Sequence, residues 1–193
     1  DGDATVSGVT WSYTITGLVE GVNGITVTAM DTAGNTAPVN GTIRLDSIAP
    51  AGSIAINSNT TYTLTRAVTL NLAATDTIGV VGYYASETST APLSGADGWT
   101  SVTSMASYQA DVSFTLSAGD GAKRVYVWYK DTAGNVSVAA SDTITLNEKP
   151  VVSTFLVNGG AAQAASRVVT LNNAATGSPA EYMASESVYF ADA

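Results

Sequence analysis

The chain repeats itself at an interval of about a hundred residues, and any fold proposed for it must respect that period. "GITVTAMDTAGN" at 24–35 answers "RVYVWYKDTAGN" at 124–135. "VTWSYTITG" at 9–17 answers "ADVSFTLSA" at 110–118, and "GTIRLD" at 41–46 answers "DTITLN" at 142–147. A second set joins the middle of the chain to its end: "RAVTLNLAATD" at 66–76 with "RVVTLNNAATG" at 167–177, and "YASE" at 84–87 with "MASE" at 183–186. One unit therefore occurs in full, over 48–147. Residues 1–47 read as the C-terminal half of a preceding unit and residues 148–193 as the N-terminal half of the next.

Within the complete unit the local signals are those of strands. "GSIAIN", "AVTLNLAA", "VVGYYAS", "GWTSV", "ADVSFTLS", "RVYVWYK" and "SDTITL" are short, rich in Val, Ile, Thr and aromatics, and separated by Gly, Ser, Asn and Asp. Val68, Leu70 and Leu72 share one face, as do Val112, Phe114 and Leu116, and Val125, Val127 and Tyr129, because successive strand residues point to opposite sides. No stretch keeps a helical period. Seven short strands with one apolar face each predict two sheets packed face to face, with Trp11, matched to Val112, in a core and Trp99 over a sheet edge.

Composition narrows the functions open to such a chain. Its 193 residues hold no cysteine and no histidine, so a disulfide framework, a thiolate or imidazole metal site and a Ser-His-Asp triad are excluded. Seven basic residues against sixteen acidic ones give a net charge of -9, which argues against nucleic acid and anionic membrane as partners. No apolar run is long enough for a membrane helix. Asp97, Asp111 and Asp120 read as solvated charge, and paired carboxylates for glycoside hydrolysis would need a cleft that a plain sandwich lacks. An enzyme is not expected. Three Asn-x-Ser/Thr triplets, at Asn40, Asn59 and Asn135, match what chance supplies in so Ser- and Thr-rich a chain.

"LDSIAPAGSIAIN" at 45–57, "VTLNLAATD" at 68–76, "LSAGDGAKRVYVWYKDTAGNVS" at 116–137 and "SDTITL" at 141–146 give the chain a specific likeness. It resembles the bacterial immunoglobulin-like tandem repeats of large secreted and cell-surface proteins. The resemblance implies an all-β, immunoglobulin-like β-sandwich in tandem repeats. It also implies a non-catalytic extracellular role as a spacer, fibre or surface-layer (S-layer) lattice element. The alternative it leaves is an adhesin, or a module of a secreted protein that binds surface glycans or proteins. Since the fold hosts many roles, it does not decide between them.

The recurring "DTAGN" admits two readings. It is a hairpin turn, in which Asp accepts a backbone N–H, Gly takes a positive φ and Asn tolerates a left-handed conformation. It is also a source of calcium ligands. In the fold that the resemblance implies, Asp46, Asp76 and Asp131 meet at one end of the module, with Asn135 beside them, and such clusters suit calcium in extracellular modules. The next junction carries Asn147 and Gly177 in place of Asp46 and Asp76, so calcium is expected at the first junction only. Pro50 and Pro150 stiffen both joints.

Tyr126 and Trp128 alternate with Val125 and Val127 and are expected to point outward, either as a contact for glycans or proteins or beneath a covering loop. The ends read as cut or processed edges of a longer product. Half a sandwich exposes an apolar face, so each half unit needs completion, by neighbouring repeats or by copies of the same chain joined head to tail into a filament.

Overall fold

The computed structural model describes residues 5–7, 10–177 and 179–184, so the 183–186 segment of the repeat falls only partly within it. Within those residues the protein is all-β apart from one short 3-10 turn, Asn158–Gly160. The N-terminal part holds two antiparallel pairs, β1 (Thr5–Ser7) with β2 (Thr10–Ser12), and β3 (Gly21–Met30) with β4 (Thr36–Leu45). The central part contains β5 (Ala51–Ile56), β6 (Tyr62–Thr63), β7 (Ala67–Ser86), β8 (Thr100–Thr115), β9 (Gly121–Asp131) and β10 (Ala140–Leu146). The C-terminal part pairs β11 (Val151–Val157) with β12 (Leu171–Thr176).

The central strands make two arms joined by β7. Its first half pairs with β5 and with the second half of β8, in the registers Ile54↔Leu72 and Leu70↔Val112. Its second half pairs with β9, as Tyr83↔Tyr129, and β9 continues to β10, which takes β6 in parallel. The strands expected at 67–74 and 80–86 are therefore one strand with an irregularity between Thr75 and Val80, and those at 98–102 and 110–117 run together as β8. The paired β6, only two residues long, is too short to leave an alternating pattern.

The alternation legible in the sequence is what builds the core. Val68, Leu70, Leu72 and Ala74 of β7 bury against Val125, Val127 and Tyr129 of β9, with Ile56, Val80, Tyr108, Leu116 and Ile144 closing the cluster. Each large aliphatic here contributes about 1.5–3 kcal/mol by leaving water. The two arms face one another across this cluster, an arrangement consistent with a β-sandwich. Tyr129 crosses it: the phenol donates to the Ser53 carbonyl at 2.6 Å. Burial pushes its pKa far up, so the hydroxyl stays a donor. Gly52 makes room for the ring, since a Cβ there would stand 2.2 Å from Tyr129 Cε2.

The period seen in the sequence has a geometric counterpart. Asn57 donates its N–H to the Thr69 carbonyl and its side chain accepts from Thr69 N–H, both at 2.8 Å. Asn158 and Thr170 make the same two bonds at 2.8 Å each. Asn71 accepts from Ser58 N–H as Asn172 accepts from Gly159 N–H. In both loops these residues hold positive φ, 46° at Asn57 and 49° at Asn158. This pair of matched loops carries little apolar signal, and sequence reasoning passed over it.

The end segments differ from the centre in burial rather than in local fold. Trp11, expected in a core, is 53% exposed, because β1–β2 and β3–β4 form separate two-stranded sheets with no second layer over them among the described residues.

Candidate functional site

Both copies of DTAGN fold as the same turn, built around the Asp carboxylate. In the first, Asp31 Oδ1 accepts from the N–H of Ala33 and of Asn35, and Asp31 Oδ2 accepts from Asn35 Nδ2 at 2.8 Å. In the second, Asp131 Oδ1 accepts from Asn35's counterpart, the Asn135 N–H, at 2.9 Å, and Oδ2 accepts from Asn135 Nδ2 at 2.8 Å. Gly34 and Gly134 supply the left-handed residue, with φ of 85° and 91°. The hydrogen bonds from Asn35, side chain first and backbone second, hold the Asp31 carboxyl below the usual aspartate range. The turn reading thus accounts for the motif in both places.

The two turns sit in different surroundings. Asp31 is exposed, whereas Asp131 is 2% exposed and faces two further carboxylates. Asp46 comes from the segment after β4, and Asp76 from the irregularity inside β7, where its Oδ1 accepts the N–H of Ile78 and of Gly79 at 2.8 Å each. One carboxylate oxygen from each of Asp46, Asp76 and Asp131 lies within 4.8 Å of the others. No Lys or Arg among the described residues pairs with any of them. The Asp46 carboxyl is held above its usual range, first by loss of water around it and then by the Asp131, Asp76 and Glu20 charges, against the opposing Ile48 N–H. Its Oδ2 is buried with no hydrogen-bond partner. A buried carboxylate oxygen left unpaired is costly, and native structures almost always satisfy such atoms.

Asn135, expected beside the three carboxylates, lies against Asp46 and Asp131. Its Nδ2 donates to Asp131 Oδ2 and, at 3.1 Å, to the Asp46 carbonyl, so it ties the turn to the linker by its donor end. Sequence reasoning missed a second tie. The Glu20 carboxylate accepts from Ser47 N–H and, at 2.7 Å, from Ser47 Oγ. Asp120 accepts from the Glu148 N–H at 2.8 Å in the same manner one unit later. The recurring acid-Gly pairs, Glu20-Gly21 and Asp120-Gly121, were the available signal. At this later junction Asn147 and Gly177 stand where Asp46 and Asp76 stand at the first, and a Cβ on Gly177 would meet the Lys149 carbonyl at 2.5 Å. Its backbone has closed over the space that a side chain would need.

Of the two outcomes expected for the outward side of β9, the structure gives the covered one at Trp128, which is 1% exposed and so offers no surface contact. It does lie on the side of β9 away from Val125 and Val127, but Tyr84 meets its ring edge-on at 6.1 Å and Tyr126 stacks on it at 6.1 Å. Trp99, expected over a sheet edge, packs on Tyr84 at 5.9 Å. Lys130 Nζ lies 4.7 Å from its ring centre and donates to the Ser94 carbonyl, and Trp99 Nε1 donates to the Leu93 carbonyl. The segment between β7 and β8 is thereby fastened over this outer face, leaving Tyr126 partly exposed and Trp128 covered. Comparison with protein-family models, with curated proteins and with solved structures found no match.

Proposed function

We propose that this chain is a non-catalytic structural repeat of an extracellular protein, a spacer, fibre or surface-lattice element built of immunoglobulin-like sandwiches in series. In this reading calcium fixes the joint between the first two units. The observation that carries it is the acidic cluster at that joint, with its one buried and unpartnered oxygen, Asp46 Oδ2. Calcium takes oxygen ligands at 2.3–2.6 Å, so two oxygens on one ion are separated by at most about 5 Å, and the 4.8 Å spread fits. Asp46 belongs to the linker while Asp76 and Asp131 belong to the central unit. An ion held by all three would cross-link two modules and neutralise three like charges in one step. Asp76 and Asp131 are already anchored by N–H donors, so they present a preformed face to the ion. The matched Asn57 and Asn158 loops support the tandem arrangement.

Calorimetric titration of the full chain with calcium tests the reading. One site is expected, with a Kd of about 0.1–1 mM, the range of extracellular modules. Asp46→Asn should remove the heat while leaving the far-ultraviolet spectrum of the β-sheets unchanged. Absence of binding, or two equivalent sites, would contradict it.

A further inference from the structure

Strand β9 carries on its outer side a set of residues that its pairing does not require. Val125, Val127 and Tyr129 face the core, so Arg124, Tyr126, Trp128 and Lys130 face the other way. The equivalent positions of β3 hold Gly24, Thr26, Thr28 and Met30, and that strand pairs along its whole length all the same. Trp128 is covered, and Lys130 is taken up by Trp99 and the Ser94 carbonyl. Arg124 and Tyr126 remain at the surface, the first exposed and the second partly so.

The surroundings of this pair run against the charge of the chain. Sixteen acidic residues outnumber seven basic ones, yet the side chains in register with the pair are hydroxyls. Ser86 of β7 and Ser141 of β10 stand on either side of Tyr126, and Thr143 stands beside Arg124. Ser86 Oγ and Thr88 Oγ1 share a hydrogen bond of 2.8 Å. The carboxylates adjoining these residues in sequence are spent elsewhere. Asp142 accepts from the N–H of Ile56 and of Thr143 at 2.7 Å each, and Glu87 accepts from the N–H and Oγ of Ser117. Arg124 Nε donates to Thr143 Oγ1 at 3.2 Å, which ties the guanidinium down by one nitrogen. No carboxylate among the described residues pairs with it.

We propose that this face is a binding site for an acidic sugar, a pyranose ring bearing a carboxylate. The C–H side of the sugar ring stacks on Tyr126, whose electron-rich face attracts it, and the sugar carboxylate takes the free guanidinium nitrogens of Arg124 in a charge-assisted pair. Two successive residues on one side of a strand stand about 7 Å apart, so a ring on Tyr126 keeps its substituents within reach of the long Arg124 side chain. The hydroxyls of Ser86, Ser141 and Thr143 each donate and accept, as the sugar's own hydroxyls do. Trp128 stacks on Tyr126 at 6.1 Å with 23° between the rings, and Tyr84 meets Trp128 edge-on. The platform is thus fixed before the ligand arrives, and little freedom is lost on binding. An acidic peptide fits this geometry less well. β7 and β10 pair with β9 on its two sides, which leaves no strand edge there for a peptide backbone to join. The site goes beyond the spacer role proposed above and does not depend on it.

Titration of the full chain, followed by NMR chemical shifts in the presence of chelator, tests it with sialyllactose, tetragalacturonate, lactose and hexaglutamate. The first two carry the carboxylate on different sugars, so which of them binds identifies the source. At least one is expected to bind with a Kd of about 1 mM, as suits an open face, and lactose at least about tenfold more weakly. Tyr126→Thr, which installs the residue β3 carries at 26, and Arg124→Gln should each weaken acidic-sugar binding by about tenfold or more. Failure of both acidic sugars, equal binding of lactose, comparable binding of hexaglutamate, or natural affinity in Arg124→Gln would each overturn the proposal. Arg124 is exposed, so its substitution leaves the core intact. Chelator removes any calcium bridge from a sugar to the Asp46 cluster, so this outcome and that of the calcium reading are told apart.

Discussion

Ile43 and Ile144 form a matched pair, the same residue at equivalent positions in two copies of the unit, and truncating each to alanine measures what completion of the unit contributes. Ile144 is fully buried in the central cluster. Ile→Ala deletes three carbons, which at about 0.8 kcal/mol per buried methylene is roughly 2.4 kcal/mol of transfer energy. A cavity of about 75 Å³ would add roughly 1.8 kcal/mol at about 24 cal/mol per Å³, less whatever the surrounding side chains recover by relaxing. The expected loss is about 3–4 kcal/mol. Ile43 is half in water already, so its truncation forfeits about half the transfer term and leaves no cavity that solvent cannot fill, for about 1 kcal/mol. Even that loss falls on a hairpin outside the central core.

Urea denaturation followed by tryptophan fluorescence in a Trp11→Phe background reads the central unit, where Trp99 and Trp128 both lie. With a slope of about 1–3 kcal/mol per molar, Ile144→Ala should lower the midpoint by about 1–4 M. Ile43→Ala should leave it within error at low protein concentration. Comparable shifts for both residues would refute the assignment of 48–147 as the one completed core.

Gly52→Ala should destabilise the central unit by about 1–3 kcal/mol in the same assay, because the new methyl overlaps the Tyr129 ring; a neutral result would mean the ring is free to move away. Trp128→Ala should cost about 3–5 kcal/mol of stability, as for a buried aromatic, and a change within about 0.5 kcal/mol would return that side chain to the surface. The folded-state pKa of Asp31 is depressed, so its turn contributes stability that is present above the unfolded value of about 3.9 and is lost as pH falls through the folded value. The Asn35 amide resonance should accordingly titrate with a midpoint below about 3.9 in NMR spectra, and a midpoint at or above that value would contradict the hydrogen-bonded turn.

How much of this was legible in the sequence depends on the range of the interaction concerned. Val68, Leu70 and Leu72, or Val125, Val127 and Tyr129, advertise their strands because alternation is a property of neighbours, and the structure buries all of them. The fusion of two expected strands into β7 was not legible. It turns on the Asp76 carboxylate bonding Ile78 and Gly79 N–H, which holds the unpaired bend at 76–79 tight so that pairing with β8 resumes at Val80. At Trp128 the pattern left contact and cover both open for a related reason. Alternation correctly assigned it to the far side of β9, but the cover over that side is fastened by Lys130, Trp99 and the carbonyls of Leu93 and Ser94, contacts made across 30 residues or more of chain in the case of Lys130 and Ser94. Period-two patterning says which side a residue takes and nothing about how many layers lie above it.

The pentapeptide shows the same division between local and distant causes within five residues. Asp31 and Asp131 both accept from the main-chain and side-chain N–H of the turn's Asn at the same distances, so the local sequence explains why the motif recurs. What separates them is the company each keeps. Asp131 is enclosed by Asp76 of its own unit and Asp46 of the preceding linker, and Asp31 is exposed. In the calcium reading proposed above, the turn aspartate serves as a ligand only where its own bend, Asp76, and the preceding linker, Asp46, both bring carboxylates to it. Asn147 and Gly177 decline to do so at the later joint, where Gly177 has also let the Lys149 carbonyl into the space. On that reading, exchanging linker and bend residues would set the cation dependence of each joint separately while every turn keeps its aspartate. Placing Asp at 147 and 177 should be insufficient to restore a site at the later joint, because the Lys149 carbonyl must first move; calcium titration of that double variant should still show a single site.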